Sequence, residues 1–171
     1  MLVRPEEPSD HAAVAALLAR AFADPAAAEP PEVGLVAALR GGSSWIAELA
    51  LVADAPDEAI LGYVVCTRGA VGDRPALALG PLAVAPDAQR RGVGSALMDA
   101  VLRVADARGE PLVALLGDPG YYGRFGFVAA AGLAIDAPDP AWGRHFQVRK
   151  LNAYEPTLTG PFRYPPEFGV G

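Results

Sequence analysis

Cysteine is nearly absent. Cys66 stands alone in 171 residues, which excludes an internal disulfide and fits a reducing compartment. Histidine is scarce as well. His11 and His145 lie far apart, and with a single cysteine they make no Cys/His zinc pattern, so no metal is expected. Lysine occurs once, at Lys150, against thirteen arginines. Beside abundant alanine, that ratio reads as genome-wide codon bias, so no arginine counts as functional without a special context. No apolar run reaches the roughly 18 residues needed to span a bilayer. The N-terminal residues 1–8 lack a basic segment followed by an apolar one. The expectation is a cytoplasmic protein with no membrane contact. A net charge of −6 and a pI near 4.8 argue against nucleic acid as a partner.

What is present is a core. Hydrophobic residues make up 52% and charged residues 20%, enough for one globular domain. That domain is expected over 1–152. The tail 153–171, rich in proline, glycine and aromatics, either packs over it in extended form or is disordered. Residues 2–4 read as a strand. Pro8-Ser9-Asp10 opens a helix with Val14, Leu17, Leu18 and Phe22 at helical spacing. A second helix spans 32–40. Three strands follow, at 44–52, 60–68 and 76–84, joined by turns at 54–58 and 69–75, and such short turns make them antiparallel. A helix over 92–108 carries Val93, Leu97, Val101 and Val104 on one face, and a buried strand covers 112–116. A short helix around 121–125 and strands near 127–135 and 146–151 complete the pattern. The fold class is α/β: a central mixed, partly antiparallel sheet flanked by helices, with a parallel crossover from 76 to 116.

One segment carries chemistry. After the strand 76–84, Gln89-Arg90-Arg91-Gly92-Val93-Gly94-Ser95-Ala96 opens the amphipathic helix. Free N–H groups and the helix dipole make an anion site there. Gly92 and Gly94 remove side chains where a diphosphate approaches the backbone, while Arg90 and Arg91 add positive charge. A P-loop would need Gly-Lys-Ser/Thr, but this chain has Gly-Val-Gly-Ser. A dinucleotide fingerprint would need Gly or Ala where Leu97 stands.

Gln89-x-x-Gly92-x-Gly94 instead resembles the Q/R-x-x-G-x-G/A signature of the GNAT acetyltransferase superfamily. Downstream, Tyr121-Tyr122-Gly123-Arg124-Phe125-Gly126-Phe127 resembles the (F/Y)-Y-x-x-x-G-F element of the same superfamily. With Leu115-Leu116-Gly117-Asp118-Pro119 before it, it looks like a bacterial subgroup of N-acetyltransferases. The element order matches that fold over about residues 1–152.

The resemblance implies transfer of an acetyl group from acetyl-coenzyme A to an amine. It implies that backbone N–H groups of Arg91, Gly92, Val93, Gly94, Ser95 and Ala96 cradle the pyrophosphate, flanked by Gln89 and Arg90. The backbone of Leu82, Ala83 and Val84 would pair with the pantetheine arm, and Gly80-Pro81 would suit the bulge that splays this strand from its neighbour. The Leu82 N–H would polarise the thioester carbonyl. Tyr122 would be the general acid that protonates the departing thiolate; Tyr121 fills the preceding aromatic slot as packing.

Two departures stand out: the strand 76–84 has no acid, and Leu115 replaces an asparagine common in the family. The general base therefore stays open between Asp118 and a water chain to a distant carboxylate. Asp118 before a proline also reads as a turn former. Cys66 reads as a core residue, which leaves no nucleophile for a covalent acetyl-enzyme. Trp45 and Trp142 read as packing, and Glu6-Glu7 and 54–58 as solvated charge. The acceptor stays open among a small-molecule amine and a peptide or protein amine, and a homodimer is compatible with the fold. Two other functions stay open: a coenzyme A-binding regulatory module with little catalysis, and a transferase for a longer acyl group.

Overall fold

The structure, a computed structural model, describes residues 1–56 and 59–170. Asp57 and Glu58 of the expected turn, and Gly171 of the tail, lie outside the described residues. Strand β1 (Leu2–Pro5) leads through a 3-10 turn at Pro8–Asp10 into helix α1 (His11–Ala21). Val14, Leu17 and Leu18 are its buried stripe. Asp24-Pro25 follows its end, and helix α2 (Pro31–Gly41) starts with proline in its first turn, where the missing N–H costs nothing.

Charges expected in solvent turn out to be paired. Arg4 donates to both Asp10 oxygens, at 2.7 and 3.0 Å, and its Nε donates to Asp54 at 2.9 Å. Glu6 has a side chain only 2% exposed and takes Arg40 from α2. These acids tie β1 to both helices, because a carboxylate withdrawn from water needs a partner. Glu7 is exposed.

The strand expected over 44–52 starts late. Residues 42–46 form a turn, Ala47–Leu49 a 3-10 turn, and only Ala50–Asp54 is strand β2. Gly41-Gly42-Ser43-Ser44 favours turns over a ladder. Strand β3 (Gly62–Val71) and strand β4 (Arg74–Val84) are longer than expected, joined by Gly72-Asp73 with Gly72 at φ +59°, as a tight hairpin requires. Helix α3 (Val93–Ala107), strand β5 (Leu112–Leu116) and a short helix α4 (Pro119–Tyr122) follow. The strand expected over 127–135 is broken into β6 (Val128–Ala129) and β7 (Ile135–Asp136) by a 3-10 turn at Ala130–Leu133. Alanine and glycine there carry little strand preference. Strand β8 (Phe146–Lys150) precedes β9 (Gly160–Arg163), formed by the tail.

The sheet order is β1-β2-β3-β4-β5-β8-β6, antiparallel throughout except for the parallel pair β4 and β5. Strand β9 pairs with the far end of β3, Ala70 opposite Arg163 and Val71 opposite Phe162, and runs parallel to β7. Alternation divides the interior in two. Leu77, Leu79, Val113 and Leu115 face the helices α1 and α3, whereas Ala76, Ala78, Leu112 and Ala114 face a second core with Phe146, Leu158 and Phe162. On α3 the buried face is Val93, Leu97, Met98, Val101, Leu102 and Ala105, and Val104 is only half-buried. The helix lies close because Gly62 of β3 has no side chain. A Cβ there would meet Leu97 at 2.7 Å and Val93 at 2.8 Å.

Strands β4 and β5 pair only at Leu77–Val113 and Ala78–Ala114. Against β3, the register of β4 slips between Leu79 and Leu82, which face Cys66 and Val64. The extra residue sits at Gly80-Pro81, where proline has no ladder N–H to lose. Beyond Leu79 the two strands no longer share hydrogen bonds, and the interior opens between them. Among the described residues no helix is long and apolar enough to cross a membrane.

Candidate active site

Two cavities open where β4 and β5 part. The larger, about 690 Å³, is lined by Leu82 and Val84 of β4, by Gln89, Arg90, Gly92, Gly94 and Ser95 at the start of α3, and by Asp118, Tyr121, Tyr122 and Arg124. The smaller, about 310 Å³, lies on the other side. Leu82 and Tyr122 line both, so they mark the junction.

The start of α3 is shaped by its backbone. Arg90 has φ +60° and Gly92 φ +84°, the left-handed region, and such reversals turn successive N–H groups to one side as an anion-binding concavity. At Gly92 a side chain would meet open space, so its backbone is accessible. The N–H groups of Val93, Gly94 and Ser95, in the first turn, have no carbonyl one turn earlier in the helix to take them. Ala96 differs: its N–H already donates to the Gly92 carbonyl at 3.0 Å. It is therefore removed from the expected cradle, because the first helical hydrogen bond closes there.

Other expected contacts are also redistributed. The side chains of Ala83 and Val93 are buried in the core, which leaves only their backbones for a ligand. Arg91 points away and lines a separate hollow with Arg20 and Asp87. Arg124, which sequence reasoning passed over, joins the larger cavity. Its guanidinium lies 4.7 Å from the Tyr121 ring centre, and its Nε donates to the Tyr121 carbonyl at 3.0 Å. Its place inside the Tyr-Tyr-Gly-Arg-Phe run was the available signal.

Tyr121 and Tyr122 pack edge to face at 4.9 Å, and Tyr122 meets Phe127 at 5.9 Å. Gly117 leaves room for the Tyr122 ring, which a Cβ there would strike. Burial pushes the Tyr122 phenol up to about 12, with a smaller push from Tyr121. The phenol is therefore firmly protonated near neutral pH. Burial also raises Tyr121, against the opposing charge of Arg124.

Asp118 is spent locally. It caps α4, its Oδ1 accepting the Gly120 N–H at 2.9 Å, and it lines the larger cavity alone of the two. His11 and His145 are exposed. Cys66 is fully buried, and burial pushes its thiol well above the ordinary thiol range, so no thiolate is available there. Trp45 is half-buried against the core. Trp142 does more than pack: it lies 6.0 Å from Phe146 and 6.1 Å from Tyr164, and it also lines the smaller cavity. Leu115 and Leu116 form part of that same wall.

Comparison with known proteins shows the family. Residues 40–129 match the family model described as the acetyltransferase (GNAT) domain. The chain is 33% identical over 153 residues to the N-acetyltransferase YhbS of Escherichia coli K12, itself uncharacterized, covering 88% of this chain and 87% of that one. The crystal structure of Escherichia coli YhbS in complex with CoA superposes with a TM-score of 0.89, covering 98% of this chain and 91% of that one at 31% identity. A GNAT acetyltransferase from Brucella melitensis, solved in complex with acetyl-CoA, gives a TM-score of 0.78 at 29% identity, covering 98% and 97%. The chain belongs to the GNAT family of N-acetyltransferases.

Proposed function

We propose that the protein transfers the acetyl group of acetyl-CoA directly to a primary amine inside a ternary complex. The observation that carries this is the junction: Leu82 and Tyr122 stand between a cavity built on the start of α3 and a second cavity of different chemistry. Acetyl-CoA is the cosubstrate, and the CoA of YhbS and the acetyl-CoA of the Brucella melitensis protein support that choice. The diphosphate is assigned to the free N–H groups of Gly92, Val93, Gly94 and Ser95, with Gln89, Arg90 and Arg124 around it. The pantetheine arm is assigned to the backbone of Leu82, Ala83 and Val84, and the Leu82 N–H to the thioester oxygen.

The amine nitrogen forms the new C–N bond as the C–S bond breaks. One proton leaves nitrogen through a water chain to a more distant carboxylate, and one reaches sulfur. Tyr122 is the donor to sulfur. Burial makes it a weaker acid than a free phenol, but a thiolate released in the same dry site is made more basic by the same desolvation, so the two remain matched. The buried Cys66 supports direct attack rather than an acetyl-enzyme.

The test is calorimetric titration with CoA, followed by a thiol-release assay over a panel of amines. Saturable CoA binding with turnover of at least one amine is expected. CoA binding with no turnover of any amine would favour a regulatory module instead, and faster release from longer acyl-CoAs a different acyl donor.

A further inference from the structure

Resting on that reading, the smaller cavity gives the class of acceptor. Its walls are mostly aliphatic, with five aromatic rings among them: Phe22 after α1, Tyr122 of α4, Trp142 before β8, and Tyr164 and Phe168 of the tail. One charged side chain lines it, Glu32, in the first turn of α2. Among the described residues lining it there is no lysine, arginine or histidine. The volume, about 310 Å³, is at the small end of ligand pockets.

Each feature limits the occupant. Flat rings standing around a small volume favour a flat apolar body, which stacks edge to face or offset on them. Trp142 and Tyr164 already meet at 78°, leaving faces and edges in different directions. A lone carboxylate in apolar surroundings favours one cationic nitrogen and has nothing to offer a second one. The absence of a cation in the wall penalises an acceptor that carries its own carboxylate, which would be desolvated without a partner. Tail and α2 residues, which come from remote parts of the chain, line this cavity together with Tyr122 and Leu82.

We propose that the acceptor is a small arylalkyl monoamine, seated with its ring among Phe22, Trp142, Tyr164 and Phe168 and its ammonium drawn to Glu32. Glu32 binds and orients the acceptor. A long polyamine, which carries several charges, and a free amino acid, which carries a carboxylate, are both poorer fits.

The test compares 2-phenylethylamine, phenylalanine and spermidine in the thiol-release assay with saturating acetyl-CoA. The value of kcat/KM for 2-phenylethylamine should exceed the other two by about 10–100-fold, the scale of one charge-assisted contact or one stranded charge. Glu32→Gln should raise the KM for 2-phenylethylamine by about tenfold and leave the KM for acetyl-CoA unchanged, and Glu32→Asp should recover part of the loss. Equal or better turnover of phenylalanine or spermidine, or an amine KM indifferent to Glu32→Gln, overturns the proposal. Binding is read separately in a Trp45→Phe background, where Trp142 is the only tryptophan left to emit. A saturable emission change with 2-phenylethylamine and none with phenylalanine supports the proposal, and no change overturns it. If the amine binds in this way while CoA does not, the acetyl-transfer reading fails and the acceptor site stands.

Discussion

The hydroxyl of Tyr121 fills the space that a side chain at Gly94 would take. A Cβ at Gly94 would stand 2.6 Å from Tyr121 Oη. The start of α3 and the Tyr-Tyr segment thus meet across the larger cavity, although about one strand and one helix separate them in the chain. Gly94 serves this contact as well as any approaching diphosphate. Substituting Gly94→Ala should strengthen the helix by up to about 1 kcal/mol while pushing Tyr121 aside. The expected result is a roughly tenfold loss of CoA affinity, about 1.4 kcal/mol, restored largely by adding Tyr121→Phe. Calorimetry on the four proteins of the cycle measures the coupling; additive effects would show that the contact does not matter.

The position of the Tyr122 phenol has a consequence for pH. Its value is raised to about 12 by burial and, to a lesser degree, by Tyr121. A raised phenol keeps its proton to higher pH. Activity should therefore rise with pH as the acceptor amine loses its proton, at a pKa of about 10.4 for a lysine-type amine. No descending limb should appear below about pH 10, the ordinary tyrosine value. Tyr122→Phe should lower kcat by about 100-fold or more with CoA affinity little changed. A descending limb centred near the ordinary thiol value of about 8.5 would mean that another group supplies the proton.

Acid stability depends on pairs such as Arg68 and Glu110. Arg68 donates to both Glu110 oxygens, at 2.6 and 2.7 Å, and Glu110 is 6% exposed. Burial alone would raise this carboxyl, but the two hydrogen bonds and the charge of Arg68, with help from Arg108, outweigh it and the net shift is downward. A depressed carboxyl contributes stability above its unfolded value of about 4.3 and loses it as pH falls through the lower folded value. Glu110→Gln should cost about 1–3 kcal/mol at pH 7. It should also shrink the gap between urea midpoints at pH 7 and pH 3. An unchanged gap would place the acid sensitivity elsewhere.

The tail is expected to matter for both stability and acceptor binding. Phe162 of β9 is 2% exposed and packs on Phe146 at 5.5 Å and Tyr164 at 4.9 Å. It fits because Gly69 of β3 has no side chain: a Cβ there would lie 2.9 Å from the Phe162 ring. Phe162→Ala should destabilise by about 3–5 kcal/mol. In the fraction that stays folded, the amine KM should rise, since Tyr164 and Phe168 hang from the same segment, while CoA affinity at α3 holds. Equal losses at both ligands would show that the tail supports the whole sheet rather than one cavity.

Some of this was written in local sequence. Gln89 to Ser95 specify a helix start whose positive φ at residue 92 falls on glycine, which takes it without strain. The alternation of β3, β4 and β5 and the stripe on α3 follow in the same way from spacing alone. Three-dimensional packing decided the remainder. Ala96 left the cradle because helical bonding closes at that residue. The tail became a strand because β3 runs past β2 and leaves an edge at Ala70 and Val71 for Arg163 and Phe162, and nothing in a stretch with four prolines between 153 and 171 signals such an edge. The smaller cavity gathers Phe22, Glu32, Trp142 and Tyr164 from four remote segments. No local pattern can bring them together, because their proximity is a property of how the layers stack and not of the residues on either side of each one.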